Sequence, residues 1–285
     1  MAPLPPPVRS YLHPGDRPGA PPQTAAELVA RLLAGDLFVY PATPASLDLV
    51  AAARAALSAT LGAEFAPAAG PCPAVPFAQT AALRAALYRT PDLRARGARL
   101  LASLGLPRDA RVDTPRLRVV THGGEARAEL RPVYVVHRDT WYGCPQGQVN
   151  AWVPVFDAPA PQGFAFYPRF FERAVPNGSG EFEYARWTAE VGWHGAAPLE
   201  DYPAPREEAA AFLPELRFDV EAGQVLLFAS HHLHQTTPNP VAGTTRLSLD
   251  VRFVAGDGAA PNVDNASRGA DQRLREEFAP VASLV

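Results

Sequence analysis

From Pro115 to Val254 the chain is a series of short β-branched and aromatic runs, each cut off by glycine or proline. Runs this short and this often interrupted read as strands joined by tight turns. Leu117 to Thr121, Tyr134 to His137, Gln148 to Val155, Gly163 to Tyr167, Arg217 to Val220, Gln224 to Phe228 and Thr245 to Val254 are the predicted strands. Many such strands in succession predict a β-sandwich or barrel. The first third of the chain has a different period. Thr24-Ala-Ala-Glu27 is a capping box, and Leu28, Leu32 and Leu33 form a helical stripe that stops at Gly35. Leu37 to Tyr40 reads as a strand. Thr43-Pro44 then opens a second helix that Gly62 closes, with Leu47, Val50, Ala51 and Leu57 expected to be buried. Further helices are predicted over Phe77 to Tyr88 and from Thr90-Pro91-Asp92 to Gly105. Helices first and strands later give an α+β layout.

The expected organisation is one domain over residues 1–285. It comprises an extended Pro/Gly-rich arm at 1–22, mainly helical support at 23–115, a β core at 116–254 and a tail at 255–285 with a short helix around Asp271 to Phe278. Within the core, 168–214 is a long aromatic and polar insert with weak periodicity. Connections of that length are usually functional or mobile, so it is a lid candidate. Charge narrows the partners. A formal net charge of -3 gives no footprint for nucleic acid or an acidic membrane. Lysine and isoleucine are absent, and the 32 prolines and abundant alanine reflect a coding bias, not a function. Cys72 and Cys144 fit no metal spacing, and a reducing, cytoplasmic location is expected. No signal peptide or membrane span is evident.

Two strand ends carry the chemistry. Val133-Tyr-Val-Val-His137-Arg138-Asp139 ends in an imidazole and, two residues on, a carboxylate. Alternation places Val133, Val135 and His137 on one strand face, with Asp139 just past the end. Taken alone, His-x-Asp is more often a core histidine and a turn aspartate. The second end, Gly223-Gln-Val-Leu-Leu-Phe-Ala-Ser-His231-His232-Leu-His234, delivers three imidazoles in four positions. His232 and His234 share a face, and His231 lies opposite and is expected outside. Two His and one carboxylate on one face of a metal leave its other positions open, the pattern of non-haem Fe(II) oxygen chemistry. On Thr245-Arg246-Leu-Ser248-Leu-Asp-Val-Arg252, Arg246 and Ser248 share a face and offer a planar cationic fork beside a hydroxyl, which suits a carboxylate. Arg252 shares the alternation and competes for that role.

The run Gly223-x-Val-Leu-Leu-Phe-x-Ser230-x-x-Leu-His234-x-x-x-Pro238-Asn239, with the upstream His-x-Asp and downstream Arg-x-Ser, resembles the phytanoyl-CoA dioxygenase-like group of Fe(II)/2-oxoglutarate oxygenases. The resemblance covers about Leu117 to Val254. It implies a double-stranded β-helix (jelly-roll or cupin-like) core with the N-terminal helices on its major sheet. It also implies His137, Asp139 and His234 as Fe(II) ligands and catalytic centre, and 2-oxoglutarate held by Arg246 and Ser248. Its implied reaction is hydroxylation of a small molecule, of natural-product or amino-acid type, using O2. Gln148 and Asn150 are further candidates for the co-substrate, and Trp141, Tyr142, Phe166, Arg169 and His232 for the substrate pocket. Each of these has an ordinary packing or strand role as its simpler explanation. His13, His122 and His194 show no partner pattern and are expected to be structural or exposed. A cupin-type metalloenzyme independent of 2-oxoglutarate, or a non-catalytic ligand-binding barrel, are the alternatives.

Overall fold

A computed structural model describes residues 4–13, 21–106, 109–190, 202–206, 212 and 215–285. The helices are α1 (Ala25–Leu33), α2 (Pro44–Leu61), α3 (Thr80–Tyr88), α4 (Leu93–Ser103), α5 (Tyr184–Glu190) and α6 (Ala270–Glu277). The strands are β1 (Arg9–Tyr11), β2 (Leu37–Tyr40), β3 (Cys72–Pro73), β4 (Arg111–Val112), β5 (Arg116–Thr121), β6 (Gln148–Pro154), β7 (Phe164–Phe166), β8 (Val225–Ala229), β9 (His234–Thr236), β10 (Thr244–Val254) and β11 (Ala279–Pro280). Among the described residues the pairings of these strands are all antiparallel. A large sheet runs β1-β2-β8-β6-β10-β4-β11, with β3 and β5 also pairing with β10. A small sheet pairs β7 with β9. The fold is therefore helices with antiparallel sheet. Among the described residues, no helix is long and apolar enough to cross a membrane.

The large sheet has two different faces, as alternation requires. Its outer face carries Phe38, Tyr40, Val149, Ala151, Val153, Val225, Leu227, Leu249 and Val251, which pack with Leu28, Leu32, Leu49, Leu57, Leu83 and Leu101 of the helices. Its inner face places Trp152, Leu226 and Phe228 against Phe164 and Phe166 of the small sheet. The registers Arg252↔Asn150, Asp250↔Trp152 and Asn150↔Phe228 set the polar residues of β6 and β10 on that inner face.

Several local expectations need correction. Thr24 caps α1 by accepting from Glu27 N, but Glu27 takes the amide of Gln23, so the box is half formed. The reciprocal capping box sits on α2, between Thr43 and Ser46. Leu47, expected inside, is 50 % exposed, and Ala51 is exposed too. The sheet-facing row of α2 is Leu49, Val50, Ala53, Ala56 and Leu57. Tyr134 to His137 is no strand. A 3-10 helix with Pro132 inside it spans Ala128–Tyr134, and only His137 forms a bridge, to His234. Proline lacks the amide a ladder needs, and Val133 and Val135 are only half-buried there. Arg217 to Val220 likewise reduces to isolated bridges at Leu216 and Val220. The arm contributes β1, paired with β2, and the insert contributes α5, which its weak periodicity did not announce. Parts of the insert, with His194, lie outside the described residues.

Candidate metal centre

Backbone pairing brings the two strand ends together. His137 N donates to His234 O at 2.8 Å, and His234 N returns a bond to His137 O at 2.9 Å. Asp139 N donates to Ser230 O at 2.9 Å, which turns the carboxylate back toward the imidazoles. One ligand atom from each of His137, Asp139 and His234 lies within 4.8 Å of the others, a spread that one metal ion can bridge. His137 Nε2 is 3.4 Å and His234 Nε2 4.0 Å from Asp139 Oδ1. The two rings stand 4.5 Å apart.

Each imidazole is fixed from behind. His137 Nδ1 donates to Val135 O at 2.8 Å, and His234 Nδ1 to His232 O at 2.9 Å. A carbonyl only accepts, so both Nδ1 carry the proton and both Nε2 present a lone pair. Burial, with repulsion from His137, pulls the His234 pKa down to about 4, which keeps it a neutral ligand. Burial works against ionisation of Asp139, but His137, His234 and Asn150 together hold its pKa below the usual carboxylate value. Asn150 Nδ2 donates to Asp139 Oδ2 at 2.6 Å. Phe164, Phe166 and Phe228 surround the His234 ring.

Arg246 and Ser248 lie on the inner face of β10 and are buried. Arg246 Nη1 donates to Ser248 Oγ at 2.8 Å, while its Nε and Nη2 are buried with no hydrogen-bond partner among the described residues. Burial lowers its pKa to about 10. The guanidinium stands 5.6 Å from the Trp152 ring and 5.9 Å from that of Phe164. Trp152 Nε1 is also buried without a partner. Arg252 is differently placed: it forms ion pairs with Asp113 and Glu277.

A cavity of about 980 Å³ opens beside the three ligands. Tyr142 and Asn150 line it, and Tyr142 meets the His137 ring edge-on at 5.4 Å. Trp141, Phe166, Arg169, His232, Gln148, Arg246 and Ser248 are not among its lining residues. Trp141 is fully buried and donates to Asp264 Oδ1 at 2.8 Å. Phe166 is buried behind His234, and Arg169 is exposed over Phe170. His232 packs on Phe171, with Nε2 3.1 Å from Gly35 O. His231, expected outside, is buried as well and also lies against Phe171. Gln148 Nε2 bonds Ser230 Oγ and Asn150 Oδ1. Of the remaining histidines, His13 sits on Phe171, and His122 lines the cavity with Nδ1 2.8 Å from Asn239 O.

Sequence reading passed over other lining residues: Arg84, Arg118, Tyr134, Thr236 and Asp250. Thr236 follows His234 by two positions and Asp250 follows Ser248 by two, so alternation was the available signal. Arg84 on a distant helix gave none.

No protein-family model matches the chain, and no curated protein matches it. Solved structures do. One is the epimerase SnoN in complex with Fe3+, alpha ketoglutarate and nogalamycin RO, at 18% identity and TM-score 0.44, covering 85% of this chain and 96% of that one. The carbocyclase SnoK from nogalamycin biosynthesis matches at 18% identity and TM-score 0.46, over 90% and 94% of the two chains. EvdO2 from Micromonospora carbonacea var. aurantiaca complexed with 2-oxoglutarate matches at 13% identity and TM-score 0.45, over 77% and 86%. The chemistry of the centre rests on its own side chains.

Proposed function

We propose that this chain is a non-haem Fe(II)/2-oxoglutarate-dependent oxygenase of the phytanoyl-CoA dioxygenase-like group, hydroxylating a small molecule, with its two facing sheets forming a double-stranded β-helix. The observation that carries the reading is a pairing of two things. Ligand atoms of two Nδ1-protonated imidazoles and one carboxylate lie within 4.8 Å of one another, and a buried arginine with two nitrogens unpartnered among the described residues stands on β10 of the facing sheet. Three ligands of this kind suit Fe(II) and leave positions for a chelating co-substrate and O2. Buried N–H groups without acceptors are costly, so Arg246 calls for an anion. The distal carboxylate of 2-oxoglutarate supplies one.

In this reading His137, Asp139 and His234 hold the iron. Arg246 and Ser248 take the far carboxylate, with Trp152 Nε1 as a third donor beside them. Asn150 orients Asp139 and so acts on the metal ligand, not on the co-substrate. Bound iron and 2-oxoglutarate together supply O2 activation, with decarboxylation to succinate and CO2. The protein's own part is position and dryness. Nδ1 bonds lock both rings, and the phenylalanines around His234 exclude water. Asp139 fills a ligand position that a halide would need, which favours oxygen transfer.

Under nitrogen, Fe(II) and 2-oxoglutarate added to the full chain should give a weak visible charge-transfer band that His234→Ala removes. Oxygen uptake should require 2-oxoglutarate. Uptake without it, or iron bound with no band in folded protein, would overturn the assignment.

A further inference from the structure

The cavity runs well past the metal cluster, and its far wall has an unbalanced charge. That wall is built by α3 and β5. Leu83 and Leu87 of α3 bury with Leu117 on the outer face of the sheet, while Arg84, between them, lines the cavity. β5 pairs only with β10 among the described strands, so its other edge is open to such an approach. Arg118 of β5 lines the same cavity. Its Nε donates to Asp250 Oδ2 at 2.5 Å, and its side chain is 47 % exposed.

Arg84 has no such acid. It makes no hydrogen bond or ion pair among the described residues, although it is half-buried. Burial and the charge of Arg118 both lower its pKa. By contrast Arg116 and Arg273 of the lining bond Glu277, and Arg127 bonds Glu129. Two guanidinium groups that line one cavity, with Asp250 the one carboxylate bonded to either among the described residues, form a site for an oxyanion, which each can meet with a planar fork. Phe77 and Tyr88 line the same cavity and are 42 % and 37 % exposed, with the Arg127 guanidinium 4.2 Å from the Phe77 ring centre on one face.

We propose that Arg84 and Arg118 form an oxyanion subsite for the molecule that is oxidised. The primary substrate carries a carboxylate or phosphate, held by this pair, and an apolar portion that packs on Phe77 and Tyr88. The assignment to the primary substrate rests on the reading of the metal centre given above, in which Arg246 serves the co-substrate.

The test uses matched probes on the full chain: 3-phenylpropionate, phenyl phosphate and the neutral 3-phenylpropionamide, titrated calorimetrically with and without Fe(II) and 2-oxoglutarate under nitrogen. At least one anion should bind about tenfold more tightly than the amide, as charge-assisted bonds imply. Arg84→Gln should remove that preference and leave 2-oxoglutarate affinity within about twofold, while Arg246→Gln should do the reverse. The favoured anion distinguishes carboxylate from phosphate. Equal binding of anion and amide, no anion binding below about 10 mM, or an unchanged preference in a folded Arg84→Gln protein would each overturn the proposal. So would a loss of 2-oxoglutarate affinity in Arg84→Gln matching the loss of the probes. Failure of the metal-centre reading looks different: the charge-transfer band is absent while the probes still bind metal-free protein through Arg84.

Discussion

Asn150 Nδ2 donates to Asp139 Oδ2 at 2.6 Å, which leaves Oδ1 as the oxygen facing both imidazoles. The amide thereby selects which carboxylate oxygen meets a metal. Partners of this kind typically account for about 10–100-fold in metal affinity. Asn150→Ala should weaken Fe(II) binding by roughly that factor, read by competition with a chelator, while circular dichroism stays unchanged. An affinity equal to wild type would remove Asn150 from the centre.

Arg246 and Arg252 sit on the same face of one strand and should fail in opposite ways. Arg246 is buried with two nitrogens unpartnered, so Arg246→Met should leave the melting temperature level or raise it while 2-oxoglutarate binding is lost. Arg252 pairs with Asp113 and Glu277, and Arg252→Met removes one cation from each while Arg116 still pairs with both acids and Arg273 with Glu277, so a cost of about 1.5–3 kcal/mol is expected with 2-oxoglutarate binding kept. Denaturant unfolding and 2-oxoglutarate titration of the two variants check this. The reverse pattern would make Arg252 the anchor.

Arg138, between the two upstream ligands, is fully buried. It donates to the carbonyls of Phe170, Phe171, Arg173 and His231 and to Asp264 Oδ2. Arg138→Met leaves those acceptors buried and Asp264 without its cation. A loss of about 3–5 kcal/mol is expected, with iron binding falling in parallel because Arg138 holds the carbonyl of His231, next to Ser230, whose own carbonyl accepts from Asp139 N. A stable variant with full iron affinity would contradict that.

Acid should destabilise the fold. Burial, with repulsion from Arg138, pulls the His231 pKa down to about 4. The unfolded chain therefore takes up that proton first, and stability falls as pH drops from about 6.5 toward 4. Burial opposes the charge on Glu277, but Arg273, Arg116 and Arg252 hold its pKa down to about 2. Its contribution is present above the ordinary carboxylate value and is lost as pH falls toward 2. Urea midpoints should decline steadily below pH 6.5, and His231→Gln should flatten the upper part of the curve. A midpoint that rises between pH 7 and pH 5 would oppose this.

Much of the fold was legible in advance because local patterns dictated it. Gly35 and Gly62, both at positive φ, stop the first two helices, and alternation along Gln148 to Pro154 and Thr244 to Val254 sets one apolar and one polar face. The convergence of His137, Asp139 and His234 was readable from motif order. The structure around them was not. Val133 and Val135 look like strand residues, but Pro132 and the 3-10 turn before them prevent a ladder. Trp141, Phe166 and His232 look like pocket residues by adjacency, yet Trp141 turns toward Asp264, and the two others stand behind the centre, away from the cavity. Arg84 was invisible because its role depends on how α3 lies across the edge of β5, a long-range relation that no local pattern encodes.

The reciprocal backbone bonds between His137 and His234 also bear on how the protein acquires its metal. The upstream ligands have no regular strand of their own and take their place only by pairing with β9, late in the chain. Loop closure over that separation must come before the site exists. A nascent chain, or a fragment ending before β9, would thus bind the ion only through isolated residues, and high-affinity uptake should appear in refolding with the slowest phase that reports native structure.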